Sequence, residues 1–285
     1  MTPTPPGGLV LVGTPIGNLS DLAPRAVEAL AGATVIAAED TRRTRGLLTH
    51  AGVPLGARRL VALHAHNEAE VSARLVEDMA AGARVAYVTD AGMPGISDPG
   101  ERLVAATLAR GLPVAAVPGP SAALTGLVLS GLPTSRFVFE GFLPRKGAER
   151  AARLAALAGE ERTVVLFESP RRLPATLADL AAALGPDRPV AVARELTKMF
   201  EAVWRGSLAE AAAGGPEARG EQVIVIGPPG PAPEPEDGEI TGALRAELAR
   251  GASKRDAATR VAGRLGVSRR RVYGLASRIE GSGPV

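Results

Sequence analysis

The residues best suited to chemistry fall in short stretches of unusual composition. Residues 88–100 read VTDAGMPGISDPG, with two aspartates, three glycines and two prolines. A plain connection from strand to helix needs about two to six residues. This composition suits a shaped backbone brought close to a ligand. GTPIGNLSDL at 13–22, EDTRRT at 39–44, HAHNE at 64–68 and PGPSAALTG at 118–126 have the same character. The chain has no cysteine, so its chemistry must run on oxygen, nitrogen or a borrowed cofactor. His64 and His66 stand at alternate positions without a nearby third ligand, a poor set for zinc, so no metal is expected and the pair reads as a polar cleft wall.

Each of these stretches follows an apolar run of strand length. LVLVG, ATVIAAED, RLVALH, RVAYVTD and PVAAV alternate with helical patterns, which predicts βα units and a mostly parallel sheet over 8–117. Loops at the carboxyl edge of such a sheet converge on one cleft. A dinucleotide-binding first loop would carry G-x-G-x-x-G, but Gly13 and Gly17 stand four apart with Pro15 between them. No phosphate-binding Walker loop occurs either. From residue 118 the rhythm changes to RFVFEGF, TVVLFES, PVAVARE, FEAVWRG and EQVIVIG, which predicts a second α/β domain with a mixed sheet over 118–229. The expected fold class is thus α/β, with two α/β domains.

The proline-rich, acidic stretch after 228 has no hydrophobic period and reads as a linker over 230–239. Beyond it the pattern is purely helical. Ser253 with Asp256 three residues on marks one helix start; Gly266 suits a left-handed cap, and Ser268 opens a second helix. Residues 240–280 hold ten Arg or Lys against three acids, net +7 in a chain of +3, which leaves the preceding residues at −4. A basic helix-turn-helix-like module on such a body points to phosphate contacts, with Arg269, Arg270 and Arg271 at the start of the second helix. No apolar run reaches the ~20 residues of a membrane span, and the first residues lack the features of a secretion signal, so a cytoplasmic protein without membrane contact is expected.

Taken together, TPIGNLSDLAPRAVEAL, AAEDTRRT, HAHNE, VTDAGMPGISDPG, VPGPSAAL, FEGFLPRKG, FESPRRL and ARELTK resemble the ribosomal RNA small subunit methyltransferase I family, in order and from about residue 9 to 227. The family belongs to the tetrapyrrole methylase superfamily. The resemblance implies S-adenosylmethionine in a cleft between two α/β domains, usually a homodimer, and 2′-O-methylation of a decoding-centre cytidine of 16S rRNA in the small ribosomal subunit. It also implies cofactor contacts at Pro15, Asp90, Ala91, Gly92, Gly95, Ser121, Ala122 and Phe167. TPIGN stands where porphyrin-modifying members have a GPGDP-like loop, which argues against a tetrapyrrole acceptor. A tetrapyrrole-like small-molecule methylase and a nucleic-acid-binding regulator remain the alternatives.

The implied chemistry is an in-line displacement at a sulfonium methyl, in which alignment can supply roughly 7 to 11 kcal/mol of the barrier. A ribose hydroxyl is a poor nucleophile, so a carboxylate or amine must take its proton. Asp40, Glu195 and Lys198 are the candidates, unranked. Arg42 and Arg43, with Arg145 and Lys146, read as RNA phosphate contacts flanking the opening. Aromatics make up only 3% of the chain, which disfavours an extended base-stacking platform.

Overall fold

The structure, a computed structural model, describes residues 7–230 and 234–279. The chain divides into two compact units, the first ending at Pro229 and the second beginning at Gly230.

The first unit contains two sheets. In the first, β1 (Leu9–Val12), β2 (Val35–Ala38), β3 (Arg59–Ala62), β4 (Val85–Val88) and β5 (Val114–Val117) run parallel in the order β3-β2-β4-β1-β5. Side chains of β1, β2 and β4 are buried on both faces, which is why these strands read as continuous apolar runs. Val10, Val12 and Ile36 pack with Ala26 and Leu30 of α1 (Pro24–Gly32) and Leu48 of α2 (Thr41–His50). Leu9, Val35 and Tyr87 pack with Leu75 and Met79 of α3 (Glu68–Ala80) and Leu103 of α4 (Glu101–Ala109).

The second sheet follows α5 (Ala122–Ser130). Its strands are β6 (Phe137–Phe142), β7 (Thr163–Glu168), β8 (Pro189–Arg194), β9 (Ala202–Ser207) and β10 (Gln222–Ile226), in the order β6-β7-β10-β8-β9. β6 and β7 are parallel and the other pairings antiparallel, so the sheet is mixed. Along β10, Val223 and Val225 face Ala123 and Leu127 of α5. Ile224 and Ile226 face Leu177 and Leu180 of α7 (Leu173–Leu184) and Leu208 of α8 (Leu208–Ala212). The remaining helix, α6 (Gly147–Ala158), adds Leu157 to that second core.

Three loops of the first sheet are locked together at its carboxyl edge. The Thr14 and Gly92 backbones exchange N–H···O bonds of 2.9 and 3.1 Å, joining the loops after β1 and β4. Gly13 lies so close to the loop after β5 that a Cβ on it would sit 2.6 Å from the Gly119 backbone. Glycine is needed here for close approach.

The second unit is a three-helix bundle of α9 (Asp237–Ala249), α10 (Lys254–Leu265) and α11 (Arg269–Arg278). Ser253 caps α10, Gly266 ends it in the left-handed conformation and Ser268 caps α11. Two features depart from the sequence expectation. The segment read as linker becomes helical at Asp237, where Asp237 and Glu239 complement the dipole of the first turn. The bundle also has a third helix: Ile240 and Leu244 of α9 are fully buried against Val261 and Val272, and this core is what gives α9 a reason to fold.

Candidate functional site

The interlocked loops form one wall of a cavity of about 310 Å³, within the usual range for small-molecule sites. Ile16 comes from the loop after β1; Ala91, Gly92, Met93, Ile96 and Asp98 come from the loop after β4. Ser121 and Ala122 bring the first turn of α5. The second sheet supplies the opposite wall through Phe142, Phe167, Glu168 and the start of β10 at Glu221–Val223. Phe167 meets Phe139 at 5.0 Å and Phe142 at 5.7 Å, both edge to face, so one part of the cavity is aromatic. Asp98, Glu168 and Glu221 are also lining residues; the Glu168 carboxylate is bound by Arg172 at 3.3 Å and by the Thr176 hydroxyl at 2.7 Å, and Glu221 by Lys198 at 3.0 Å. An apolar slot with acidic groups around it suits a ligand that is part aromatic and part cationic.

The loop of residues 88–100 is braced from below. The Tyr87 hydroxyl donates to Pro99 O at 3.0 Å, and Glu68 Oε1 accepts from Gly100 N at 2.8 Å and Arg102 N at 3.0 Å. Gly95 N donates to Pro99 O at 3.1 Å, and Ser97 takes a left-handed φ of 61°. These bonds explain the length and composition of the stretch: it folds back on itself instead of simply connecting strand to helix.

Five of the eight residues expected to touch a cofactor line this cavity: Ala91, Gly92, Ser121, Ala122 and Phe167. Pro15 stands one position from the lining residue Ile16. Gly95 shapes the loop through its φ of 84°. Asp90 is part-buried and pairs with Arg43 at 3.2 Å, while its Oδ1 is buried without a hydrogen-bond partner. Sequence reasoning passed over Ile16, Met93, Ile96, Asp98, Phe142 and Glu221. Apolar residues inside otherwise polar Gly/Pro loops were the available signal for Ile16, Met93 and Ile96; Glu221 had none, because its neighbours in space are remote in sequence.

Asp40, Glu195 and Lys198 do not line the cavity. Asp40 caps α2, accepting from Arg42 N at 2.7 Å and Arg43 N at 3.4 Å. The Arg42 backbone N–H and guanidinium hold its carboxyl below the usual carboxylate range. Lys198 bridges Glu195 at 3.1 Å and Glu221 at 3.0 Å. Its hydrogen bond lowers the proton affinity of Glu195, and although burial works against the ammonium, the two carboxylates raise the proton affinity of Lys198. The lowered proton affinity makes Asp40 and Glu195 weaker bases, and the raised one favours the ammonium form of Lys198.

Among the expected RNA contacts, Arg42 is 87% exposed, and Arg145 and Lys146 are exposed at the start of α6. Arg269 and Arg270 flank a shallow depression with Arg255 and the exposed Tyr273. Arg271 is engaged inside its own unit, with Asp237 at 2.8 Å and Glu234 at 2.9 Å. The His64 and His66 rings lie edge to face at 5.9 Å, and no group of three potential metal ligands gathers among the described residues.

A sequence-family profile described as Tetrapyrrole (Corrin/Porphyrin) Methylases matches residues 8–212. The chain is 48% identical over 284 residues to the Ribosomal RNA small subunit methyltransferase I of Mycobacterium tuberculosis (strain ATCC 25618 / H37Rv), covering 98% of each chain. It is 44% identical over 281 residues to the protein of that name from Synechocystis sp., covering 97% of this chain and 100% of the other. Among solved structures, uroporphyrin-III-C-methyltransferase from Thermus thermophilus, complexed with S-adenyl homocysteine, is similar with a TM-score of 0.55 at 23% identity, over 77% of this chain and 97% of that one. Diphthine synthase is similar with a TM-score of 0.60 at 17% identity, over 77% and 89%. At these identities the two structures share the fold with this chain.

Proposed function

Because the chain belongs to the ribosomal RNA small subunit methyltransferase I family, we propose that its cavity binds S-adenosylmethionine and that it methylates the 2′-hydroxyl of a cytidine ribose in the decoding centre of 16S rRNA. The observation that carries this reading is the lining of the cavity, which combines an aromatic corner with carboxylates. The adenine fits against Phe167, and the small residues Ala91, Gly92 and Ala122 let backbone approach the ligand. The buried Oδ1 of Asp90 accepts no hydrogen bond, although Arg43 pairs with Oδ2, and this acceptor suits the methionine ammonium. Pro15 and Gly95 hold the two loops that frame the ligand. When bound, S-adenosylmethionine supplies an electrophilic methyl group on a sulfonium sulfur.

The protein's own part is to align the ribose with that methyl, to exclude water and to accept one proton. Glu195 and Lys198, joined to Glu221 on the lining, brace one side of the cavity, and Asp40 fixes the start of α2 beside Arg43 and Asp90. Arg42, Arg43, Arg145 and Lys146 contact RNA phosphates around the opening, with Arg269 and Arg270 as the second phosphate-binding group and Arg271, bound to Asp237 and Glu234, holding the helix that presents them. The protein works in the cytoplasm as a homodimer, in keeping with exposed apolar side chains at Leu124 and Val128 of α5.

The test is incubation with methyl-labelled S-adenosylmethionine and isolated small subunits, followed by nuclease digestion and mass spectrometry of the nucleosides. A single 2′-O-methylcytidine is expected. Label in a corrinoid precursor and none in RNA would replace this reading with the small-molecule one. Sedimentation at several concentrations tests the homodimer.

A further inference from the structure

Asp98 differs from the other two carboxylates on the cavity lining, Glu168 and Glu221, which are paired with Arg172 and Lys198. It lies on the lining and is half-buried, and among the described residues no arginine or lysine pairs with it. The positive charge of this corner, Arg43, is on Asp90. The Glu39 carboxylate, which accepts from Asp90 N at 3.2 Å, and Asp90 itself both act on Asp98 as like charges. The backbone on either side is fixed: Ser97 holds its left-handed φ, and Pro99 O accepts from both the Tyr87 hydroxyl and Gly95 N. Asp98 is thus a positioned carboxyl in contact with the ligand space, with no cation to hold it ionised.

On the reading given above, we propose that Asp98 is the proton acceptor for the ribose 2′-hydroxyl. The hydroxyl proton passes to the Asp98 carboxylate as the ribose oxygen forms a bond to the sulfonium methyl carbon. The carbon–sulfur bond breaks, and its electron pair stays on sulfur as the neutral thioether of S-adenosylhomocysteine. Asp98 then returns the proton to water. Burial, with repulsion from Glu39 and Asp90 and against the opposing pull of the nearby Thr89 hydroxyl, pushes the Asp98 carboxyl up to about 7. That is where a general base is most effective at neutral pH. Tyr87 and Glu68 are the other ionisable groups close to this loop; Tyr87 is pushed up by burial and stays neutral, and Glu68 is occupied by backbone N–H groups.

The experiment is single-turnover methyl transfer to isolated small subunits at saturating S-adenosylmethionine, from pH 5.5 to 9, for wild type, Asp98→Asn and Asp98→Glu. Calorimetric cofactor affinity and a melting curve are measured on each protein. Wild type should gain rate with pH through an inflection at or below about 7, since bound positive charge lowers the proton affinity of Asp98. Asp98→Asn should lose about 10²- to 10⁴-fold in rate, together with the inflection, at nearly unchanged cofactor affinity. Asp98→Glu should recover part of both. An Asn variant that keeps the wild-type rate and inflection, or that loses only cofactor affinity, overturns the proposal while the methyltransferase reading stands. Should wild type itself place no methyl on ribose, that reading falls and the proposal falls with it.

Discussion

At the scale of single residues, the carboxyl groups differ in what surrounds them. Asp40 and Glu195 are held ionised by N–H donors and an ammonium, while Asp98 is left without a cation. The proton affinity of Asp98 is raised from 3.8 to about 7, so the folded protein binds more protons than the unfolded chain between those values. Stability from this group is therefore present at acid pH and lost as pH rises toward 7. Asp98→Asn should melt a few degrees above wild type at pH 8, and the difference should vanish near pH 4, as followed by calorimetry across pH. A different outcome is expected at Asp90, where removal of the carboxylate deletes a charge-assisted partner. Titration calorimetry of Asp90→Ala should find S-adenosylmethionine bound about 10- to 100-fold more weakly, the equivalent of about 1.5 to 3 kcal/mol.

At the scale of elements, the carboxyl edge of the first sheet is a set of loops packed backbone against backbone. Gly13 cannot carry a side chain there, because a Cβ would meet Gly119 N and Cα at 2.6 Å and those atoms have nowhere to go. Overpacking of this kind costs about 1 to 3 kcal/mol. Gly13→Ala should lower the melting temperature and weaken S-adenosylmethionine binding together, since the loops it pushes apart line the cavity. Gly46 is the contrasting case: it is exposed within α2, and a Cβ there would meet nothing within 4 Å. Gly46→Ala should raise stability by about 0.5 to 1 kcal/mol and leave cofactor affinity unchanged, because alanine loses less backbone entropy in a helix.

At the scale of the whole molecule, charge is divided between the units. The first is neutral and the second carries the chain's whole net charge of +3, with +7 over residues 240–280 offset by four acids at 234–239. Within the basic unit the three consecutive arginines have different surroundings. Arg271 is bound to Asp237 and Glu234, whereas Arg269 and Arg270 stand exposed beside Arg255 and Tyr273. If the unit docks on ribosomal RNA, replacing Arg269 and Arg270 by Gln should flatten the dependence of log affinity on log salt by about 1.4 to 1.8, from about 0.7 to 0.9 per lost phosphate contact. Arg271→Gln should act chiefly on the melting of this unit. Subunit binding at several salt concentrations, beside calorimetry, separates the two, and an unaltered slope in the double variant would mean that the charge is only a solvated surface.

Much of this protein was legible in its sequence, for reasons that are local. Apolar periods gave the strands and helices, Ser253, Gly266 and Ser268 marked helix ends through bonds to their nearest neighbours, and the loops after β1, β4 and β5 announced themselves by composition. The quoted motifs identified the family, and with it the fold. What tertiary structure alone decided was which loop residues face the ligand and in what charge state. Asp90 and Asp98 are eight residues apart in one loop, yet Arg43 reaches the first and leaves the second unpaired, a contact set by the pairing of β2, which leads into α2, with β4. The linker boundary moved for a similar reason: α9 exists because Ile240 and Leu244 find a core formed by helices that come later in the chain. Proton affinity and burial depend on atoms remote in sequence, and only the fold brings those atoms together.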